Sequence, residues 1–157
     1  MAANNKPGNG GTGNGLALTA PELTDFLDQT FPERREAWPP IHIDHLAPNE
    51  ARLRMELDTK HLRPGGTLSG PAMFMLADYG IYVAILAMIG PVPLAVTTNM
   101  TINFLRKPLQ RDLLADVRLL KLGKRLAVAD AELRSDGSDD IVAQASGTYS
   151  IPPPGDR

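Results

Sequence analysis

Apolar and polar positions follow two different periods along this chain, and the change of period marks its elements. In "VTTNMTINFL", Val96, Thr98, Met100, Ile102 and Phe104 share one face, while Thr97, Asn99, Thr101 and Asn103 share the other. That strict period of two predicts a half-buried strand. Ala51, Leu53, Met55 and Leu57 alternate in the same way in "ARLRMEL". A strand also reads after Pro40 in "WPPIHIDHL", and the turn residues "APNE" join the two as a hairpin. Three more strands read from "DLLADVRLLKLG", "RLAVADAELRS" and "IVAQASGTYSI", with short turns around Gly123 and Lys124 and at "SDGSDD". Near the start, Thr19 and Glu22 form a capping box with Pro21 in the first turn, so "LTAPELTDFLDQTF" predicts a short helix.

The stretch from Pro71 to Ile89 obeys neither period, because it is apolar on every side and carries one charge, Asp78. A helix of that kind is enclosed all round, and a curved antiparallel sheet wrapped around it would enclose it. Its length is near the minimum for a membrane span, but Asp78, Gly80 and the following "GPVP" argue against one. The loop before it, "DTKHLRPGGTLSG", holds the breakers Pro64, Gly65, Gly66 and Gly70. The predicted order is helix, two strands, a long helix and four antiparallel strands forming a meander. This is an α+β architecture, and its open edges favour pairing with a second copy.

Composition narrows the chemistry. At 157 residues the chain suits one domain, placed at 18–152. The Gly/Asn-rich residues 1–17 are expected to be disordered and 153–157 flexible. No apolar signal core opens the chain, so the expected location is cytoplasmic. A net charge of -2 gives no sign of a nucleic-acid partner. Without cysteine there are no disulfides, thiolate nucleophiles or Cys-ligated metals. His42, His45 and His61 lack the i, i+4 spacing of a zinc site, so no metal is expected.

Asp78 admits two readings. It is a core carboxylate paired with an arginine or a hydroxyl, or it faces a cavity as a catalytic acid or base, because an ionised carboxylate is not buried alone. Its setting bears on the choice. Ser69 is a candidate N-cap, and Gly70 begins the helix, where free N–H groups meet the positive end of the macrodipole. A glycine there lets a carbonyl oxygen approach closely, so the Gly70 N–H is a candidate oxyanion donor. Eight residues of helix separate Gly70 from Asp78, roughly 12 Å of rise. One substrate carbonyl cannot touch both on one helix. Two antiparallel copies would set Gly70 of one chain against Asp78 of the other.

"RPGGTLSGPAMFMLAD", "TTNMTINFLRKP", "LLADVRLLKLGKRLAVADAEL" and "IVAQASGTYSI", taken in order and spacing, resemble the hotdog-fold acyl-CoA thioesterases of the phenylacetate-degradation (PaaI-like) type. The resemblance runs from about Ile41 to Ile151. Against the family pattern Asn-Pro-x-Gly-x-x-His-Gly-Gly, this chain keeps Pro64, Gly66 and Gly70, while Arg63, Ser69 and Pro71 replace Asn, His and the final Gly. The resemblance implies a sheet wrapped around one long helix, a homodimer or homotetramer, and hydrolysis of an acyl-CoA substrate. CoA enters as part of that substrate and no separate cofactor is implied. Gly70 then matches the oxyanion glycine and Asp78 the catalytic carboxylate, acting as base or nucleophile. A non-catalytic acyl-CoA or lipid-binding module on the same fold is the alternative. Arg63 has no lone pair with which to orient a water, and is expected instead to pair with Asp78.

Other residues carry two readings each. Tyr82, one turn beyond Asp78, places a water or is a buried aromatic with a satisfied hydroxyl. Thr97 and Thr98 stand where some family members use a hydroxyl to orient the water, or are ordinary strand threonines. Arg106, Lys107, Lys124 and Arg125 stand near positions where the family meets the phosphates of coenzyme A, or form a solvated rim. Trp38 reads as a packing anchor.

Overall fold

The structure is a computed structural model that describes residues 15–156. The expected disorder of residues 1–17 therefore falls mostly outside the described residues. Helix α1 (Ala20–Thr30) begins with the expected capping box: Thr19 Oγ1 accepts from the Glu22 N–H, and the Glu22 carboxylate accepts from the Thr19 N–H at 2.8 Å. Leu23 and Leu27, one turn apart, are its fully buried residues. A four-residue helix α2 (Arg34–Ala37) follows, and Asp28 of α1 ion-pairs with both Arg34 and Arg35 to fix the two together.

Strands β1 (Ile41–Ala47) and β2 (Glu50–Met55) form the predicted hairpin. Asn49 in its turn has φ 65°, a left-handed conformation that asparagine tolerates. The next segment, expected to be a loop, contains a small hairpin of β3 (Leu62–Arg63) and β4 (Thr67–Leu68). Its turn runs Arg63-Pro64-Gly65-Gly66, with the Arg63 carbonyl accepting from the Gly66 N–H at 3.0 Å. Proline second and glycine third, with Gly65 at φ 95°, are what a type II turn requires.

Helix α3 (Gly70–Ile89) is the apolar stretch, capped at Ser69 and ended at Gly90. After it come β5 (Val96–Phe104), β6 (Leu113–Leu122), β7 (Leu126–Ser135) and β8 (Ile141–Ser150). Six strands form one antiparallel sheet in the order β1-β2-β6-β7-β8-β5, curved around α3. Leu76, Ile81, Ile85 and Leu86 of α3 are fully buried in that wrap. This is the expected α+β hotdog arrangement. α3 is the one helix among the described residues long and apolar enough to cross a membrane, and most of it is buried inside the fold.

Two details correct the sequence reading. β6, β7 and β8 do form a meander, but β5 pairs with β8 at the sheet edge and not with β6. The connection at residues 105–112 contains Pro108 and is too long for a tight hairpin, so the chain leaves the edge and inserts β6 beside β2. The period-two pattern of β5 is also broken by a bulge between Thr97 and Asn99. Thr97 pairs with Tyr149, Thr98 is the extra residue, and Met100 pairs with Gly147. A bulge inverts parity at one point, so Thr97 and not Thr98 joins the face of Met100 and Ile102.

Candidate active site

Between α3, β5 and the α1–β1 region lies a cavity of about 850 Å³. Seven of the chain's eight aromatic residues line it, so aromatic surface serves this cavity more than the core. Its far wall is an edge-to-face series: Phe31 on Trp38 at 5.2 Å, and Trp38 on Tyr79 at 5.4 Å between centroids. Burial pushes the Tyr79 phenol up to about 12. Trp38 is thus a packing anchor, as expected, and a wall of the cavity as well.

Asp78 is the one carboxylate in this lining, and it is half-buried. Thr97 Oγ1 donates to its Oδ1 at 2.7 Å. The Tyr149 hydroxyl donates to the same Oδ1 at 2.6 Å and lies 3.0 Å from the main-chain carbonyl oxygen of Asp78. Oδ2 takes no hydrogen bond among the described residues and is not a buried unpaired atom, which leaves it the accessible oxygen of a residue that lines the cavity. Burial first, then the charge of Asp78 and the bond to it, push the Tyr149 phenol far above its usual range, keeping it a donor.

The expected Arg63–Asp78 pair does not form within the chain. Arg63 is exposed and, with Gly70 and Met73 at the start of α3, lines a second cavity of about 620 Å³, whereas Asp78, farther along the helix, lines the first. Thr98 is likewise turned away, its hydroxyl donating to the Thr148 carbonyl at 3.1 Å. Tyr82 lines the main cavity and stacks on Tyr149 at 6.4 Å, but its hydroxyl donates to the Pro93 carbonyl at 3.1 Å, satisfied as one of its two readings required. Ser69 Oγ accepts from the Ala72 N–H at 3.3 Å, the N-cap role. Gly70 borders both cavities, and the Phe104 ring lies 3.2 Å from where a Cβ on Gly70 would stand. Its N–H has no acceptor among the described residues.

The four cations do not meet in one chain. Arg106 and Lys107 line the second cavity with Arg63, beside the start of β8, where the Val142 carbonyl accepts from Arg106 N–H. Lys124 and Arg125 sit at the other end of β8, where Arg125 Nε donates to the Ile151 carbonyl at 3.2 Å. The ten-residue strand holds the two pairs roughly 30 Å apart.

A family model described as the thioesterase superfamily matches residues 65–142. An inferred esterase of Saccharolobus solfataricus is 31% identical over 111 residues, 71% of this chain and 73% of the relative. The chain belongs to the thioesterase superfamily. Solved structures with the same fold include an inferred thioesterase from Silicibacter sp., at 46% identity and TM-score 0.81, covering 90% of this chain and 96% of that one. A variant of the phenylacetic acid degradation protein PaaI from Thermus thermophilus aligns at 29% identity and TM-score 0.65, covering 77% and 99%. The matched superfamily region spans Gly70, Asp78 and Thr97 but ends before Tyr149.

Tyr149 is the site residue that the sequence reading missed. The inward positions of β8 are Ala143, Ala145, Gly147 and Tyr149. α3 approaches so closely that a Cβ on Gly147 would stand 2.8 Å from Ile81 Cδ1. A run of small inward residues that ends in a buried tyrosine leaves one hydroxyl needing a partner, and that was the available signal.

Proposed function

We propose that the protein hydrolyses an acyl-CoA thioester to the free acid and CoA, with Asp78 as the base. The observation that carries this reading is a half-buried carboxylate, held on one oxygen and open on the other, in an aromatic-lined cavity. The acyl group fits the apolar cavity. Oδ2 takes a proton from a water as that water's oxygen bonds to the thioester carbon, and the carbonyl electron pair moves onto oxygen. The Gly70 N–H of a second copy stabilises that oxyanion at a helix start. On collapse the carbonyl re-forms, the C–S bond breaks, and the sulfur takes the proton. In the covalent variant Oδ2 attacks the carbon itself and the C–S bond breaks, releasing the CoA thiolate and giving an anhydride; water then opens it to the free acid and the Asp78 carboxylate, and the proton released protonates the thiolate. Arg63, Arg106 and Lys107 around the second cavity suit the phosphates of CoA.

The need for a second copy follows from the helix spacing. It also follows from the apolar rim of the cavity, where Phe74, Val96 and Phe104 are 38%, 56% and 53% exposed. The test is a panel of acyl-CoA esters given to wild type and Asp78→Asn. Hydrolysis by wild type, with a loss of about 10²- to 10⁴-fold in kcat for the variant, is expected. No hydrolysis, or undiminished hydrolysis by Asp78→Asn, refutes the mechanism. Binding without turnover marks a non-catalytic acyl-CoA-binding module.

A further inference from the structure

We propose that Tyr149 is the positioning residue of this site: with Thr97 it occupies Oδ1 of Asp78 and so assigns Oδ2 as the oxygen that meets the substrate. This rests on the hydrolase reading above.

A carboxylate has two equivalent oxygens, and an untethered one presents either. The two donors to Asp78 converge on the same oxygen, at 2.6 Å and 2.7 Å, which fixes the rotation of the carboxylate about its last bond. Each donor is itself immobilised. Thr97 faces inward because the β5 bulge turns it so. Tyr149 is 3% exposed, stacks on Tyr82, and reaches the main-chain carbonyl of Asp78 as well as its side chain. One phenol therefore ties both the helix backbone and the carboxylate of a single residue to β8. Its hydroxyl points at Asp78 and donates, so it acts through Asp78.

The experiment is a double-mutant cycle on acyl-CoA hydrolysis with Tyr149→Phe, Asp78→Asn and the double variant. Tyr149→Phe removes the donor and keeps the ring. It should lower kcat about 10- to 100-fold, the loss expected for one charge-assisted hydrogen bond, with KM within about twofold. In the Asp78→Asn background the same change should cost less than about threefold, because the group it positions is gone. Thr97→Ser should keep most of the activity, and Thr97→Val should lower kcat by about tenfold. Equal losses in both backgrounds, or an unchanged kcat for Tyr149→Phe, overturn the proposal.

A readout free of turnover separates this proposal from the hydrolase reading. With ¹³Cζ-labelled tyrosine the chain gives three signals, and Tyr149 is assigned by its loss in Tyr149→Phe. Asp78→Asn should shift the Tyr149 signal more than that of Tyr79. If wild type turns over no thioester, the hydrolase reading fails while a shifted signal still supports the tie. An unmoved Tyr149 signal overturns the tie whatever the activity.

Discussion

Replacing Gly80 with alanine sets two effects of known size against each other. Gly80 lies in the middle of α3, where alanine is favoured over glycine by ~1 kcal/mol. A Cβ there would stand 2.9 Å from Val117 Cγ2 and 3.6 Å from Leu53 Cδ1. Carbon atoms pack best about 3.5–4.0 Å apart, so the Val117 contact is short by more than half an ångström. Val117 cannot yield easily. It is β-branched, 3% exposed, and sits on β6 with β2 and β7 bonded on either side. Overpacking of this kind costs ~1–3 kcal/mol, so the crowding outweighs the propensity gain, leaving a net loss of ~1 kcal/mol. For a chain of this length that lowers Tm by roughly 3 °C. Thermal unfolding followed by circular dichroism reads it. Val117→Ala removes the obstructing methyls, so the double variant should be more stable than Val117→Ala alone. A rise in Tm for Gly80→Ala, or strict additivity of the two changes, would refute the reasoning.

Two more outcomes follow from the site. Thr97→Val should lower kcat by about tenfold while Thr98→Val changes it less than about twofold, because only Thr97 donates to Asp78; steady-state kinetics on one acyl-CoA ester reads both. The second concerns alkaline pH. Tyr79 and Tyr149 titrate above the ordinary tyrosine value of about 10, so above that pH the unfolded chain has released protons that the folded chain still holds. Stability is then full below pH ~10 and falls by ~1.4 kcal/mol per pH unit for each group, ending near pH 12 for Tyr79. Urea titrations across this range check it, and Tyr149→Phe should flatten the decline. A flat profile in wild type contradicts the burial argument.

What sequence could supply was what depends on local pattern. The alternation of Ala51, Leu53 and Met55, the capping box at Thr19 and Glu22, and the all-round apolarity of α3 each follow from neighbours within a few residues, and each is present in the fold. Gly70 and Asp78 were legible for the same reason: a helix start and a lone charge are local facts. The position of β5 beside β8 was not, because alternation says which face is buried and nothing about which strand is adjacent. The bulge at Thr98 was hidden in an unbroken alternation, and it exchanged the faces of two adjacent threonines. Tyr149 lies 71 residues from Asp78, and only the closed sheet brings them together. The expected pair of Arg63 and Asp78 failed on geometry, since the two residues line different cavities, which composition does not show.

The place of β5 at the sheet edge has a consequence for heat. Of the two donors that hold Asp78, Thr97 stands on β5, which within the chain is bonded to one neighbouring strand, while Tyr149 stands on that neighbour. Edge strands open at lower free energy than the sheet centre, where β6 and β7 are bonded on both sides. Fraying there would take Thr97 from the carboxylate and leave Tyr149 as its one tether, while the bulk of the fold remains intact. Turnover should therefore fade some degrees below the temperature at which the chain unfolds, and a second copy covering this edge would bring the two temperatures together.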